Sequence, residues 1–273
     1  MKERITLTIE EDILTDIDSL IDGSNIKNRS HAVELLLLKS LGHNTPKKAI
    51  ILAGGNLSNI YKKLPRGMVK IQNKPLIEWN IRLLKKFNII EIIISIGDKG
   101  QLIKDYFGDG SKFGVKITYV EEPHPLGTSG PLIMAKPYLT ETFIMCNGDE
   151  LKNIDIIDMY NYHKNNKGLA TIALSTLEDP TGYGIVLMNG NRIVTFVEKP
   201  DKENALSNLV NAGFYIMEPE IIKLIPEGFG KLENDLFPKL ARENKLYGYV
   251  FSGQWFDTNN KQQIENAERE WKE

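Results

Sequence analysis

The stretch AIILAGG, residues 49–55, indicates the fold class of this chain. Its first five residues form a continuous apolar run of strand length, and two glycines follow directly. An apolar run that ends in a turn signal is typical of a strand buried in a parallel sheet. A glycine-rich turn after such a strand lets backbone amides approach a bound phosphate. The stretch therefore predicts a buried first strand followed by a candidate phosphate-binding loop, a signal that is weak by itself.

Downstream of this stretch, apolar strand-like segments alternate with helical patterns. The strand-like segments are residues 49–53, 92–96, 115–120, 143–146 and 169–174. The helical segments between them are residues 76–87, 101–106, 129–138 and 155–163. This βαβα order predicts an α/β domain with a Rossmann-like, mostly parallel sheet and helices on both faces. Ligands of such sheets bind at the carboxyl ends of the strands.

The later part of the chain has a different pattern. Residues 184–198 predict a β-hairpin that turns at Asn189-Gly190, and residues 211–217 predict a further strand. We expect these segments to form an antiparallel extension of the sheet. Residues 261–272 predict a terminal helix on the outside of the domain.

A small separate domain precedes the α/β region. Residues 42–48 combine a glycine, a proline and two lysines, so we place the boundary between domains 1–44 and 45–273 there. Alternating apolar and polar residues at 4–9 predict a half-buried strand. Helical patterns follow at 10–21 and about 30–41. Because so short a domain buries too little apolar surface, we expect a homodimer or higher oligomer that shares a two-stranded ribbon.

Composition and charge exclude several classes of protein. The 273 residues include 34 Lys plus Arg against 36 Asp plus Glu, a net charge of −2. This balance predicts no broad attraction to nucleic acid or to anionic membranes. Cys146 is the single cysteine, and the four histidines lack the spacing of zinc ligands. No apolar run approaches the ~20 residues that are needed to span a bilayer. We expect a cytoplasmic protein without membrane contact.

The segment 4–41 resembles the ribbon-helix-helix family, whose dimers place a two-stranded ribbon in the DNA major groove. The resemblance rests on RITLTI (4–9), a turn at Gly23-Ser24-Asn25, and NRSHAVELLLLKSL (28–41), in which Asn28 or Ser30 could cap the helix.

The resemblance implies a DNA-binding surface. Arg4, Thr6 and Thr8 would contact base edges, and backbone amides near Arg29 and Ser30 would hold a phosphate. Dimerisation without DNA binding is the alternative. Residues 1–44 contain eight acidic and five basic side chains, a balance that opposes non-specific DNA binding.

Seven short motifs occur in order along the larger domain. They are PRGMV (65–69), KP (74–75), PLGT (125–128), NGD (147–149), FVEKP (196–200), NAG (211–213) and WFD (255–257). Together with the glycines at 54–55, this set resembles the sugar-phosphate nucleotidyltransferase family over residues 48–265. Members of that family join a nucleoside triphosphate to a sugar 1-phosphate and release pyrophosphate.

The resemblance implies a role for each matched residue. Catalysis would involve Arg66, Lys199 and Asp149. Mg²⁺ would bind to the hard carboxylate oxygens of Asp149 and Asp257. The nucleotide is expected at Leu52, Ala53, Gly54, Gly55, Gly127 and Thr128. The sugar is expected at Gly184, Glu198 and Asn211. Each residue alone is better explained as an ordinary turn, strand end or solvated charge, whereas the joint order favours the family.

One departure from the family pattern bears on activity. Where the family has GxGTR, this chain has Leu57 and Asn59 in place of the second glycine and the arginine, and Arg66 replaces the usual lysine. Losing one preorganised donor to a developing charge costs about 3–4 kcal/mol. Lys62 or Lys63 could substitute for the lost arginine.

Three functions remain open from the sequence. The first is an active Mg²⁺-dependent nucleotidyltransferase. The second is a DNA-binding regulator whose larger domain senses a sugar nucleotide. The third is an assembly subunit that partners an active paralogue. Glu121-Glu122 before PLGT, with LYGYV (246–250), looks most like guanylyltransferases acting on mannose or heptose phosphates. Uridylyl, thymidylyl and cytidylyl transfer stay open.

Overall fold

A computed structural model describes residues 4–23, 26–40, 45–55, 64–226 and 228–273. The chain divides into two compact units, Met1–Asn44 and Thr45–Glu273.

The first unit contains two helices, α1 (Glu11–Ser19) and α2 (Arg29–Ser40). The turn between them begins with Gly23, whose φ of +75° favours glycine. Ser24 and Asn25 of the predicted turn lie outside the described residues. Of the two predicted caps, Asn28 is the one that directly precedes α2, and its Oδ1 accepts a hydrogen bond of 2.9 Å from the amide of His31.

The strand predicted over residues 4–9 is not formed in the described single chain. A strand needs backbone hydrogen bonds to a neighbour, and no described segment of this unit supplies them. The two helices of the predicted ribbon-helix-helix arrangement are therefore present, while its ribbon is not shown.

The first unit leaves much of its apolar surface in contact with solvent. Among the side chains that the structure describes in residues 4–23 and 26–37, the buried apolar ones are Ile17 and Ala32. Ile5 is 66% exposed and Leu7 52% exposed. Four more large apolar side chains of this unit are also exposed: Ile13, Leu20, Leu36 and Leu37. As the sequence predicts, these residues make no closed core within one copy.

The second unit is built from strands and helices that follow one another along the chain. Its strands are β1 (Lys48–Ala53), β2 (Lys70–Ile71), β3 (Lys74–Pro75), β4 (Glu91–Ile96), β5 (Lys116–Glu121), β6 (Phe143–Asn147), β7 (Glu150–Lys152), β8 (Ala170–Thr176), β9 (Gly184–Asn189), β10 (Arg192–Glu198), β11 (Leu209–Met217), β12 (Leu246–Val250) and β13 (Trp255–Asp257). Its α-helices are α3 (Leu76–Lys86), α4 (Gly100–Phe107), α5 (Gly130–Ala135), α6 (Ile156–Asn166), α7 (Phe237–Arg242) and α8 (Lys261–Glu270). None of the helices within the described parts of the chain combines the length and apolar character that crossing a bilayer requires.

Nine strands form one sheet in the order β5-β4-β1-β6-β11-β8-β12-β10-β9. The first four run parallel to one another, as the alternation of strands and helices predicts. The predicted hairpin is formed by β9 and β10, which pair antiparallel.

The Rossmann-like description fits the other half of the sheet only loosely. The antiparallel pairing expected of residues 184–198 and 211–217 is found, but β11 lies inside the sheet and not at its edge. Strand β11 lies between β6 and β8 and is antiparallel to both, and β10 is antiparallel to β12. Four of the eight neighbouring pairs are therefore parallel, and the sheet is mixed. The position of β11 between β6 and β8 is not predicted from the sequence, because β11 pairs with strands that are distant along the chain.

Helices cover both faces of the sheet, as predicted. Ile51 of β1 packs in a cluster with α3, α4 and α6, while Ile50 belongs to a separate cluster with α5 and α7. Successive residues of a strand point to opposite faces, so an unbroken apolar run is what a strand between two layers of helix requires.

Candidate functional site

The carboxyl ends of β1 and β6 lie side by side because the two strands are parallel neighbours. This places the glycines after β1 beside the NGD motif after β6. The amide of Gly148 donates a 2.9 Å hydrogen bond to the carbonyl oxygen of Leu52, and a Cβ at Gly148 would lie 2.9 Å from that same oxygen. The two loops therefore meet through their backbones, and glycine permits the contact.

A two-stranded ladder next to this edge carries both predicted metal ligands. Strand β7 pairs antiparallel with β13, with Glu150 opposite Asp257. Asp149 directly precedes β7, and the hydroxyl of Thr258 donates a 2.6 Å hydrogen bond to the carbonyl oxygen of Asp149. The ladder thus brings Asp149 and Asp257 together.

Asp257 is buried and held by three donors. Its Oδ1 accepts from the amide of Thr258 at 2.7 Å, and its Oδ2 accepts from the Tyr183 hydroxyl at 2.9 Å and from Asn259. Burial, together with the nearby charge of Asp149, raises the pKa of the Asp257 carboxyl. A cation bound beside Asp257 would favour the charged form of this carboxyl, which burial and the charge of Asp149 disfavour.

Arg66 lies at the same place. Its guanidinium forms a 2.8 Å ion pair with Asp149 Oδ2 and also donates to the side chain of Asn259. The 3₁₀ turn Arg66–Met68 that carries Arg66 fits closely, because a Cβ at Gly67 would lie 3.1 Å from the carbonyl oxygen of Gly148. One arginine and two aspartates thus converge, as the motif order predicts.

The chemistry of these groups fits a divalent cation that is shared with a ligand. No group of three or more His, Cys, Asp or Glu side chains suited to a metal occurs in the described part of the chain. Mg²⁺, however, is usually bound by one or two carboxylates, with phosphates and water completing the coordination. Asp149 and Asp257 are the residues that could supply those carboxylates.

Glu122 occupies the space beside Gly54. Its Oε1 accepts a 2.6 Å hydrogen bond from Ser95, and its Oε2 accepts one of 3.1 Å from the amide of Leu126. A Cβ at Gly54 would collide with this carboxylate. Gly54 is therefore explained by packing against Glu122. Gly55 is exposed, and no atom of the described residues lies within 4 Å of a Cβ placed there.

The predicted sugar residues Gly184 and Glu198 face each other across the β9–β10 hairpin. They are register partners, and a Cβ at Gly184 would lie 2.9 Å from Glu198 Oε2. Burial, followed by the charge of Glu233, raises the pKa of Glu198. Lys199 lies 4.0 Å from Glu198 with 63% of its side chain exposed, and its φ of +48° is rare for a residue with a side chain.

Tyr183 connects this hairpin to the aspartate side and was missed by the sequence analysis. Its hydroxyl reaches Asp257, while its carbonyl oxygen accepts a 3.0 Å hydrogen bond from the amide of Lys199. A tyrosine before Gly184 carries no recognisable signal of such a role.

Asn211 begins an irregularity in β11. The register with β8 shifts between Asn211 and Tyr215. Asn211 Oδ1 accepts a 3.1 Å hydrogen bond from the amide of Gly213, and Asn211 Nδ2 donates 2.8 Å to the Tyr215 hydroxyl. The Asn211 side chain is therefore fixed by its own bulge.

The loop with Gly127 and Thr128 is fixed by a residue that the sequence analysis also missed. The Thr128 hydroxyl donates a 2.6 Å hydrogen bond to Glu233 and accepts one of 2.9 Å from the amide of Leu232. Gly127 has a φ of +74° and forms a bridge to Gly230. Glu233 sits in the sequence LENDLFP, where nothing distinguishes it from a surface acid.

Two buried charges beneath the aspartates were missed as well. Glu150 and Lys152 both belong to β7 and are both buried. Glu150 follows Asp149 directly, and this adjacency to a predicted ligand was the available signal.

The predicted DNA-contacting residues lie in the first unit. Arg4, Thr6, Thr8 and Ser30 are exposed. Arg29 is paired with Asp18 through two hydrogen bonds of 2.6 Å, and this contact lowers the pKa of Asp18. The Arg29 side chain is therefore engaged within the unit.

Four residues that the sequence analysis singles out in the loop after Gly55 lie outside the described residues: Leu57, Asn59, Lys62 and Lys63.

Comparison with known proteins identifies the family of this chain. The model of the family described as "Nucleotidyl transferase" matches residues 48–273. The chain belongs to the Nucleotidyl transferase family. The first unit lies outside that match.

The similar proteins differ in the base and sugar that their names state. Mannose-1-phosphate guanylyltransferase 1 of Arabidopsis thaliana is 33% identical over 220 residues, which cover 77% of this chain and 60% of that protein. The UTP–glucose-1-phosphate uridylyltransferase of Synechocystis sp. is 34% identical over 230 residues, 77% of this chain and 59% of that protein. The chain thus spans about 60% of the length of these curated relatives.

The fold of the second unit recurs in solved structures. HddC from Yersinia pseudotuberculosis superposes with a TM-score of 0.71 at 24% identity, covering 81% of this chain and 98% of that one. At this identity the likeness concerns the fold.

Gly213 provides a test of the packing around this site. Gly213 and Gly190 share a φ of +58°, but only a Cβ at Gly213 would meet neighbours, lying 2.5 Å from Asn147 Nδ2 and closer still to Glu150. The backbone strain of an alanine is the same at both positions and cancels in the comparison of the two variants. We therefore expect Gly213→Ala to lower the free energy of unfolding by about 1–3 kcal/mol more than Gly190→Ala. Urea denaturation of both variants measures the difference. Equal losses would contradict the packing described.

Proposed function

We propose that the second unit is a nucleotidyltransferase that joins a nucleoside triphosphate to a sugar 1-phosphate. The observation that carries the proposal is the convergence of Asp149, Asp257 and Arg66 at the carboxyl edge of the sheet, with the 2.8 Å ion pair between Arg66 and Asp149. Family membership supports the reaction class. The activity of the whole protein is part of the proposal.

In the proposed reaction, an oxygen of the sugar phosphate attacks the α-phosphorus of the triphosphate. The new P–O bond forms as the bond to the β-phosphate oxygen breaks, and pyrophosphate leaves. Both reactants are polyanions, so catalysis consists mainly of positioning and of neutralising charge. Arg66 supplies a guanidinium at the place where the phosphates would meet the aspartates.

Asp149 and Asp257 would hold Mg²⁺. When bound, the ion would neutralise phosphate charge and orient the triphosphate. Two carboxylates without further protein ligands suit an ion that keeps sites for phosphate.

The hairpin and the β11 bulge would bind the sugar phosphate. Glu198 is half-buried and Asn211 is fixed by hydrogen bonds, so both present oriented polar groups for sugar hydroxyls. Lys199 keeps its ammonium exposed beside Glu198, where it would pair with the phosphate of the sugar. Thr128, held by Glu233, and the residues Leu52 to Gly55 would border the nucleotide.

A guanosine triphosphate and mannose 1-phosphate are the substrates that we propose first. The motif PLGT and the similarity to a mannose-1-phosphate guanylyltransferase support this choice. The similarity to a uridylyltransferase makes UTP with glucose 1-phosphate the next pair to test.

Pyrophosphate release tests the proposal. Purified protein with Mg²⁺ should release pyrophosphate from one nucleoside triphosphate in the presence of one sugar 1-phosphate. Arg66→Ala should lower kcat about 10²- to 10³-fold, because it removes a preorganised donor to the developing charge. Arg192→Ala, whose guanidinium donates to Asn244, is the matched control and should leave the rate unchanged.

Asp149→Asn sets the background of this assay. If wild-type protein releases no more pyrophosphate than Asp149→Asn with any pair of substrates, the second unit is not the enzyme proposed here.

For the first unit we propose association with a second copy and DNA binding by the resulting dimer. The exposed side chains of Ile5 and Leu7 favour association. They alternate along one segment, so a ribbon strand of a second copy would cover both of them. Arg4, Thr6 and Thr8 would then lie on the opposite face, toward base edges, with backbone amides of Arg29 and Ser30 near a phosphate.

Substitution of the apolar residues tests this assignment. Ile5→Ser with Leu7→Ser should shift the sedimenting species from dimer to monomer, because the shared apolar surface is lost. Ile90→Ser, an exposed isoleucine of the second unit, is the control. A wild-type monomer at micromolar concentration would refute the dimer.

Fluorescence anisotropy with the DNA upstream of the coding sequence tests the second part of this proposal. Arg4→Ala should abolish sequence preference and leave nucleotide binding intact. Wild-type protein that binds this DNA in a sugar-nucleotide-dependent manner, yet releases no pyrophosphate, would favour a sensor regulator.

A further inference from the structure

Lys152 occupies a position that is unusual for a lysine. Its side chain is 0% exposed, although lysine is almost never fully buried without a partner. The ammonium lies 3.3 Å from the carbonyl oxygen of Asn147 and 3.3 Å from that of Gly213. It therefore connects the end of β6 with the bulge of β11.

Glu150 is the carboxylate that accompanies this buried ammonium. Its Oε2 lies 3.8 Å from Lys152 Nζ and accepts a 2.8 Å hydrogen bond from the indole of Trp255. Its Oε1 accepts a 2.7 Å hydrogen bond from Asn147, and its carbonyl oxygen accepts one of 3.0 Å from Asn80. Both charges are thus enclosed by defined partners.

Burial of this pair is poor evidence for a role in stability. Removing two charges from water costs more than their attraction often returns, and well-packed apolar side chains in the same place are frequently as stable. What a satisfied buried pair supplies is fixed geometry, since each donor and acceptor allows few arrangements.

The contacts of Glu150 and Lys152 extend to both halves of the candidate site. One half is the pair of carboxylates Asp149 and Asp257, and the other is the bulge of β11 with Asn211. On one side, Glu150 is the ladder partner of Asp257 and directly follows Asp149. On the other side, Lys152 binds the carbonyl oxygen of Gly213, whose amide donates to the side chain of Asn211. Each step of this path is a direct contact.

We propose that Glu150 and Lys152 are a positioning pair that holds the Asp149–Asp257 carboxylates and the Asn211 side chain in register. Both residues are buried, so the proposed role is to position other groups and not to bind substrate. The inference rests on the proposed function for what the two halves bind, while the physical link is a property of the fold.

Three variants test this pair. Lys152→Met leaves Glu150 without its cation, and Glu150→Gln leaves Lys152 without its carboxylate. The double variant removes both charges, so it is expected to fold even where a single substitution does not. Glu78→Gln is the matched control, because Glu78 is also buried and bound by Arg82 and Tyr106, both at 2.9 Å.

Two measurements on folded protein report the two halves separately. The affinity for Mn²⁺, measured by electron paramagnetic resonance, should weaken about tenfold or more in the variants, the scale seen when a group supporting a metal ligand is lost. The KM for sugar 1-phosphate should rise by a similar factor. Glu78→Gln should change neither.

Backbone hydrogen exchange without any ligand gives a third measurement. Protection should fall together in residues 149–152, 255–257 and 209–215 in each pair variant, and should remain in Glu78→Gln. Wild-type affinities with wild-type protection in a folded pair variant would overturn the proposal, as would a change confined to one half. If wild-type protein shows no turnover, the proposed function fails, and the exchange data still decide the positioning role.

Discussion

The antiparallel ladder between β7 and β13 is the interaction on which the site depends. Each strand has only three residues, yet their register places Glu150 opposite Asp257 and so brings Asp149 beside Asp257. Two hydrogen bonds from residues outside the ladder secure it, one from Thr258 to the Asp149 carbonyl and one from Tyr183 to the Asp257 carboxylate. Within β7, the buried Glu150–Lys152 pair adds further contacts. The main sheet supplies the edge on which the ladder rests, because β7 follows β6 after two residues.

Close backbone approach is the second constraint on this edge. Gly148 lies against the Leu52 carbonyl, and Gly213 lies against Asn147 and Glu150. A side chain at either glycine would separate loops that carry the predicted nucleotide, metal and sugar residues. The buried acids have a related role: Glu122 fills the space beside Gly54, and Glu233 binds Thr128.

Much of the fold could be predicted, because strands between two helical layers must be continuously apolar. β1, β4 and β6 were predicted to within a residue or two for that reason. The placement of β11 between β6 and β8 could not be predicted, since it depends on pairing between distant segments. The matched motifs named Asp149, Asp257 and Arg66, which the fold brings together. Lys152 and Glu233 were missed because charged residues usually indicate surface, and only burial distinguishes them. Tyr183 was missed because only its hydrogen bond to Asp257, between distant segments, distinguishes it.

Asp149 and Asp257 would together form one cation site at the carboxyl edge of the sheet. Anomalous diffraction from crystals of the full chain grown with Mn²⁺ and a nucleoside triphosphate tests it most directly. We predict a single strong anomalous peak in the second unit, within about 2.0–2.3 Å of a carboxylate oxygen from each aspartate, close to the range for hard cations of this size. A peak bound to other residues, or none between these two carboxylates, would contradict the account.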